Sequence, residues 1–337
     1  MTNDIDIVIP WVDGSDPDWA ARRSAYDTAA SSDTRVNRYR DWDLLKYIFR
    51  GIERFAPWVR YVFFVCDQQP PAWLDSSNPR LRVTMHADFI PREYLPVFSS
   101  HPIELNMHRI PGLSEQFIYM NDDTFLLKPL AREFFFRRGL PRDAALLNPV
   151  PTDDLMGKRN AKIFTVPLNN AEYINRDYDF RSCIKRHPFK WFNVRYGGNL
   201  LRNAMLCLWP RFVGFKEPHL PQAFLKSAFE RAWDADFDIL DQTSRRPLRD
   251  DRDVNQWLIR ERELAEGRFL PRKPISGGVF AIGQNLSEMH SAIRLQRIPM
   301  ICLNDDGITE ESEFLSLRRQ LTCDFETILP EKSSFEN

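Results

Sequence analysis

FIYMNDDTF, residues 117–125, is the stretch from which the chain is best read. Phe117, Ile118, Tyr119 and Met120 run straight into Asn121-Asp122-Asp123. A mostly apolar run of this length predicts a strand buried on both faces. At the carboxyl end of a parallel strand, Asp122 and Asp123 face the crevice where α/β proteins take ligands. Two ionised carboxylates there are costly without partners, and a divalent cation with oxygen ligands relieves that cost. The same residues also suit an ordinary polar turn.

Working outward, residues 4–10 (DIDIVIP) predict a first strand ended at Pro10, and WVDGSDPDW follows at 11–19. Gly14 permits a tight turn, and Pro17 suits the first turn of a helix. Asp13 and Asp16 therefore stand before a helix N-terminus, where free backbone N–H groups attract phosphate. Carboxylates at that place suit a ribose, a base or a metal, and Asp16 or Ser15 equally suits an N-cap. Asp41 is expected to cap an amphipathic helix over 42–55, with Leu45, Ile48, Phe49, Ile52 and Phe55 facing inward. Further strands are expected at 59–66 and 81–85. Strand, helix, strand, helix, strand in this order predicts βαβ units and a mostly parallel sheet. His101, Glu104 and His108 share one face if 96–108 is helical, and read as a surface helix.

Past the central stretch, a strand is expected at 143–147 (DAALL). Residues 181–216 hold eight Lys or Arg and no acidic residue, with Phe189, Trp191, Phe192, Tyr196, Trp209, Phe212 and Phe215 interleaved. That composition suits an anionic surface, such as lipid headgroups, a phosphorylated acceptor or a nucleotide; it also suits a folded insertion with solvated charges. We read 151–216 as a basic, aromatic-rich helical insertion, and 1–150 with 217–337 as one α/β catalytic core. His219 stands between Pro218 and Pro221, rigidly placed, although a lone histidine is more often structural. A helix is expected to begin near Asp251 or Asp253 and to end at Gly267. Arg249 and Asp253 stand at its start, where an arginine binds phosphate as a planar fork. PMICLNDDG, 299–307, repeats the passage from an apolar run to acids through Asn304-Asp305-Asp306, and a last helix covers 310–328.

Composition bounds the reading. The chain has 337 residues, 43% apolar and 28% charged, as expected of a globular protein. A net charge of −1 excludes a polybasic nucleic-acid binder as a description of the whole chain. Five scattered cysteines without CxxC spacing argue for reduced thiols in a cytosol and against a disulfide scaffold or zinc site. Asp4 and Asp6 interrupt the early apolar stretch, which argues against a signal peptide. No window approaches the roughly 18 apolar residues of a membrane span. The expected location is the cytoplasm, at the inner face of the cell membrane if the basic segment meets lipid.

With these segments on the page, the chain resembles the Stealth family of sugar-phosphate transferases. IDIVIPWVDGSDPDW (5–19) is similar to the family's first block. RYRDWDLLKYIFRGIERFAPWVRYVFFVCDQQPPAWL through LPVFSSHPIELNMHRIPGLSEQFIYMNDDTF (38–125) resembles the second, PHLPQAFLK with LRDDRDVNQWLIR the third, and ICLNDD through LPEKSSFE (301–336) the fourth. KRNAKIF and HPFKWFN look most like the bacterial capsule-building members. The large insertions of the animal relative, the lysosomal-enzyme N-acetylglucosamine-1-phosphotransferase, are absent, so its protein substrate is not expected here.

The resemblance implies a nucleotide-sugar-transferase-like, Rossmann-like core. It implies transfer of a sugar 1-phosphate, from UDP-GlcNAc or another UDP-hexose, to an oligosaccharide or polysaccharide hydroxyl, with UMP leaving. It places the important positions at Asp122 or Asp123, His219, Arg249, Asn304 and Asp305. Mg²⁺ or Mn²⁺ is expected on Asp122, Asp123 and Asp305, neutralising the diphosphate together with Arg249. Trp11, Asp13, Gly14, Asp16, Arg40, Arg109, Asn121, Asp253 and Asn304 are expected around the nucleotide and donor. The acceptor's proton goes to Asp305 or Asp122, with His219 on the phosphate, or to His219 itself. The rival readings are a metal-dependent glycosyltransferase releasing UDP and an inactive carbohydrate-binding protein. Nucleic acid is not an expected partner.

Overall fold

The computed structural model describes residues 4–26, 40–151, 165–275, 277–305, 308 and 310–337. Asp306, the KRNAKIF stretch, Arg35 and Arg38 lie outside the described residues. Three strands fall where apolar runs predict them: β1 (Ile5–Pro10), β2 (Val62–Cys66) and β3 (Leu81–Met85). Their β-branched and aromatic side chains fit a pleated, buried surface, and every β2 residue is buried. With β4 (Gln116–Tyr119) they pair in parallel, in the order β3-β2-β1-β4. The remaining strands are β5 (Thr124–Leu126), β6 (Phe136–Arg137), β7 (Leu140–Asp143), β8 (Gln222–Leu225), β9 (Leu270–Pro271), β10 (Val279–Ala281) and β11 (Met300–Asn304). β8 pairs antiparallel to β4 and completes the five-stranded sheet. Two three-stranded sheets lie beside it, β10-β11-β5 and β6-β7-β9. The fold is thus mixed α/β.

Two pairings position the chemistry. β8 runs antiparallel to β4 with Gln222 opposite Tyr119, so the residues just before β8 arrive at the carboxyl end of β4. β5 runs antiparallel to β11 with Cys302 opposite Thr124, and Leu303 N–H donates to Asp123 O at 2.9 Å. Asn121-Asp122-Asp123 therefore lies beside the end of β11, where Asn304 and Asp305 follow. The helix Leu45–Phe55 packs over β5 at Gly51, where an added Cβ would stand 3.2 Å from Leu126 O. The C-terminal helix Glu311–Ile328 stacks Phe325 on Tyr47 and Phe125, with ring centroids 5.1 and 4.6 Å away. Ile174, Phe180, Trp191 and Phe212 continue the same hydrophobic cluster into the basic segment.

Four local expectations change. The strand near 143–147 is Leu140–Asp143, because Asp143 turns inward to an arginine, leaving Leu147 with only an isolated bridge to Phe215. The helix expected from residue 42 starts at Leu45, and Asp41 instead accepts from Asp43 N–H at 2.7 Å, closing a local turn. The helix expected from Asp251 or Asp253 is Gln256–Ala265, capped by Asn255. The helix Ser100–Asn106 is buried, not superficial: His101, Glu104 and His108 are all under a tenth exposed. Each has found a partner or a ring to lie on. His101 meets Asp253, Glu104 accepts from Tyr119, and His108 stacks on Phe229.

Candidate active site

The carboxyl ends of β1 and β4 are neighbours, since Val8 pairs with Tyr119. After β4, Asn121 O accepts from Thr124 N–H (3.1 Å) and Thr124 Oγ1 (2.7 Å), a closed turn that projects Asp122 and Asp123. Asp123 Oδ2 lies 3.8 Å from His219 Nε2 and accepts from the Cys302 thiol at 3.3 Å. Its Oδ1 is buried without a hydrogen-bond partner among the described residues. Donor atoms of Asp123, His219 and Cys302 all fall within 4.8 Å of one another. His219 reaches this position with a φ of 45°, a left-handed backbone that non-glycine residues adopt mainly where surrounding structure enforces it.

Electrostatics divides the group. Asp122 is exposed, yet thinned hydration and then the charge of Asp123 push its pKa up to about 7. His219 moves the other way as a base: Asp123 first, then Glu104 and Glu217, raise its pKa against a desolvation that lowers it. Glu217 is raised to about 7 by burial, and Glu104 adds to that while Arg260 and His219 oppose it. Glu104, which accepts from Tyr119 OH at 2.9 Å, keeps a buried Oε2 without a hydrogen-bond partner among the described residues. The charge of Asp123, with Glu104 and Glu217 beyond it, thus favours the protonated form of the imidazole. Cys302 stays a neutral thiol, because burial and then Asp123 hold its pKa far up.

Asn304 and Asp305 follow on the neighbouring strand. Asp305 Oδ2 accepts from Trp42 Nε1 at 3.2 Å and lies 3.6 Å from Arg40 Nη1. Arg40 also donates to Ile308 O and lies over Phe314. Asn304 O accepts from Ile282 N–H at 2.8 Å. On the β1 side, Trp11 packs on Phe64. Asp13 accepts from Ser15 N–H and Oγ, and Gly14 turns without a left-handed φ. Asp16 caps the helix Pro17–Ser24 through Asp18 and Trp19 N–H, and Gln68 Nε2 clamps it at 2.7 Å. That bond leads the causes that lower the Asp16 pKa.

Three expected residues lie apart from the carboxylates. Arg249 is exposed and donates to Ser100 Oγ at 3.2 Å, at the N-terminal end of the helix that carries Glu104 one turn on. Arg109 donates to Asn106 and lies 4.7 Å over the Trp233 ring. Asp253 is fully buried, bonded to His101 Nδ1 (2.9 Å), Arg246 Nη1 (2.9 Å) and Asp250 N–H (3.0 Å). We expect Asp253→Asn to lower unfolding free energy by about 1.5–3 kcal/mol, the range for hydrogen bonds to charged groups. Urea denaturation checks this, and a stable variant with a raised KM for donor would instead make Asp253 a ligand contact. The sequence reading did not single out Glu217 or Cys302. Glu217 had a signal, two residues before His219; Cys302 had none, since only the β5–β11 register brings it to Asp123.

Comparison with known proteins places the chain in a family. Conserved region 1 of the Stealth proteins matches residues 3–30, and conserved region 2 matches 38–143. The chain is 38% identical to the exopolysaccharide phosphotransferase cps2G of Lactiplantibacillus plantarum over 335 residues, covering 99% of this chain and 96% of the relative. It is 34% identical to the capsular polysaccharide phosphotransferase WcwK of Streptococcus pneumoniae, covering 98% of each. With the receptor polysaccharide phosphotransferase WefC of Streptococcus oralis it shares 35% identity over 99% of each chain. The chain belongs to the Stealth family of phosphotransferases and is a transferase enzyme.

Proposed function

We propose that the enzyme transfers a hexose or N-acetylhexosamine 1-phosphate from a UDP-sugar to a glycan hydroxyl, in building a capsular or other surface polysaccharide. The observation that carries this is the convergence of Asp122, Asp123 and His219, flanked by Asn304 and Asp305, at the carboxyl ends of β4 and β11. In the order β3-β2-β1-β4 the connections turn back between β1 and β4, the place where doubly wound, Rossmann-like sheets bind nucleotides. The uridine nucleotide lies there against Trp11, Asp13, Gly14 and Asp16. Arg40, Asn121 and Asn304 border it, and 151–216 is inserted into the core formed by 1–150 and 217–337.

The acceptor oxygen attacks the phosphorus that bears the sugar. The bond from that phosphorus to the bridging oxygen breaks, and the oxygen leaves on UMP. Asp122 takes the hydroxyl proton, since a carboxyl titrating near 7 is half-ionised at working pH. His219, whose protonated form Asp123 favours, donates to a phosphate oxygen. Arg249 reaches in from the rim as a fork for the diphosphate. A hard divalent cation would find Asp123 Oδ1, which has no hydrogen-bond partner among the described residues; the donor atoms gathered within 4.8 Å are those of Asp123, His219 and Cys302, whereas Asp305, expected as a ligand, is held by Trp42 and Arg40. When bound, Mg²⁺ or Mn²⁺ neutralises charge on the diphosphate.

The test incubates pure protein with a panel of UDP-sugars and an oligosaccharide primer, the donors carrying ¹⁸O between the anomeric carbon and phosphorus. UMP with the label retained in a phosphodiester product supports the reading. UDP with the label kept on the nucleotide overturns it in favour of glycosyl transfer.

A further inference from the structure

The helix Asn199–Leu206 is mounted with its polar residue inward. Asn203 is fully buried and donates to Ala145 O (2.8 Å) and Trp191 O (3.0 Å) while accepting from Leu147 N–H (2.9 Å). Those three bonds fix the helix's rotation. They turn Leu201 and Met205, four residues apart, to the outside, followed by Leu208 three residues on. Leu201 is 69% exposed, Met205 64%, Leu208 83% and the adjoining Trp209 61%. Phe189 and Val194, just before this helix, are more than four-fifths exposed. A surface helix ordinarily shows the reverse pattern.

Charge says what covers this face. Arg181, Lys185, Arg186, Arg195, Arg202 and Arg211 of the same segment are exposed, and 181–216 contains no acidic residue. A two-fold pairing of the face with a second copy would set these cations against themselves. Apolar side chains and a tryptophan flanked by arginines and lysines match instead the boundary of an anionic bilayer, where rings sit among headgroups and cations meet phosphates.

We propose that residues 189–211 dock the enzyme peripherally on an anionic lipid surface, with Leu201, Met205, Leu208 and Trp209 entering the headgroup layer. Among the described residues no helix is long and apolar enough to cross a membrane, so this contact lies on the surface. The proposal does not depend on which phosphate ester the enzyme makes.

The experiment uses the whole chain with phosphatidylcholine vesicles, with and without phosphatidylglycerol, followed by co-sedimentation and by quenching of Trp209 with brominated lipid. Trp209→Phe isolates its signal. Binding that needs phosphatidylglycerol, weakens with salt and falls by about tenfold or more in Leu208→Glu/Trp209→Glu supports the proposal. These side chains are exposed, so folding is preserved, and turnover of a soluble primer should be unchanged. Failure to bind phosphatidylglycerol vesicles at low salt would overturn it. Equal binding to both vesicle types would overturn the anionic requirement. Concentration-dependent dimerisation abolished by the same double variant would overturn it too, making the face a contact between copies.

Discussion

Asp122→Asn should lower kcat by about a thousandfold or more, the scale for losing a proton acceptor together with site electrostatics, and should also make the protein more stable above pH 7. The second half follows from linkage. The Asp122 carboxyl has a pKa of about 7 in the fold against 3.8 ordinarily. Between those values the folded state holds a proton that the unfolded state has lost, so wild-type stability falls as pH climbs from 3.8 to about 7 and then levels. An amide carries no such charge. The variant's advantage in Tm should therefore grow across that window and stay constant above it, with EDTA present to keep cations out. Glu217 is raised in the same sense, but it is present in both proteins and cancels. A variant that loses activity without gaining stability at pH 8 would mean that Asp122 is not held against its charge.

Asp143→Ala is the second large effect, and it acts on stability. Asp143 and Arg260 are both buried and bonded twice, at 2.6 and 2.9 Å. Burial alone would raise the Asp143 pKa, but Arg260 holds it down. Gln222 Nε2 and Ala144 N–H complete the carboxylate's partners. Removing it strands a buried guanidinium, which typically costs about 3–5 kcal/mol. Arg260 Nη1 also holds Lys216 O, next to Glu217 and two residues from His219 in turn. The variant should thus lose activity even where it remains folded. Asp143→Leu with Arg260→Met should recover part of the stability, because Arg260 is no longer stranded, while buried Arg272 still loses the charge of Asp143. Urea unfolding of the single and double variants decides it: a single variant within about 1 kcal/mol of wild type would show that Arg260 finds another counter-ion.

Much of the fold was legible because it rests on local pattern. Ile5–Pro10, Val62–Cys66 and Leu81–Met85 are short apolar runs, bounded and separated in a way only strands satisfy. The two Asn-Asp-Asp segments were visible as kindred, although the β5–β11 register that brings Asp123 to Leu303 is set by no local rule. Sequence failed where polar residues are buried in pairs. His101 and Glu104 look like surface residues until Asp253 and Tyr119 are seen beside them. Asp253 looks like a helix-terminal anion contact until His101 and Arg246 occupy it. Arg260 and Asp143 stand 117 positions apart. Such partners carry no periodicity, so only the folded chain discloses them.

The adjacency of β5 and β11 also has a timing consequence during synthesis. Asp122 and Asp123 leave the ribosome roughly 180 residues before Asn304, which at about 5–20 residues per second is on the order of ten to forty seconds. Throughout that interval the nascent polypeptide has its first acids but no neighbouring strand to seat them. A growing chain consequently lacks the Asn304–Asp305 side of the candidate site, which is assembled only once β11 has emerged and paired with β5.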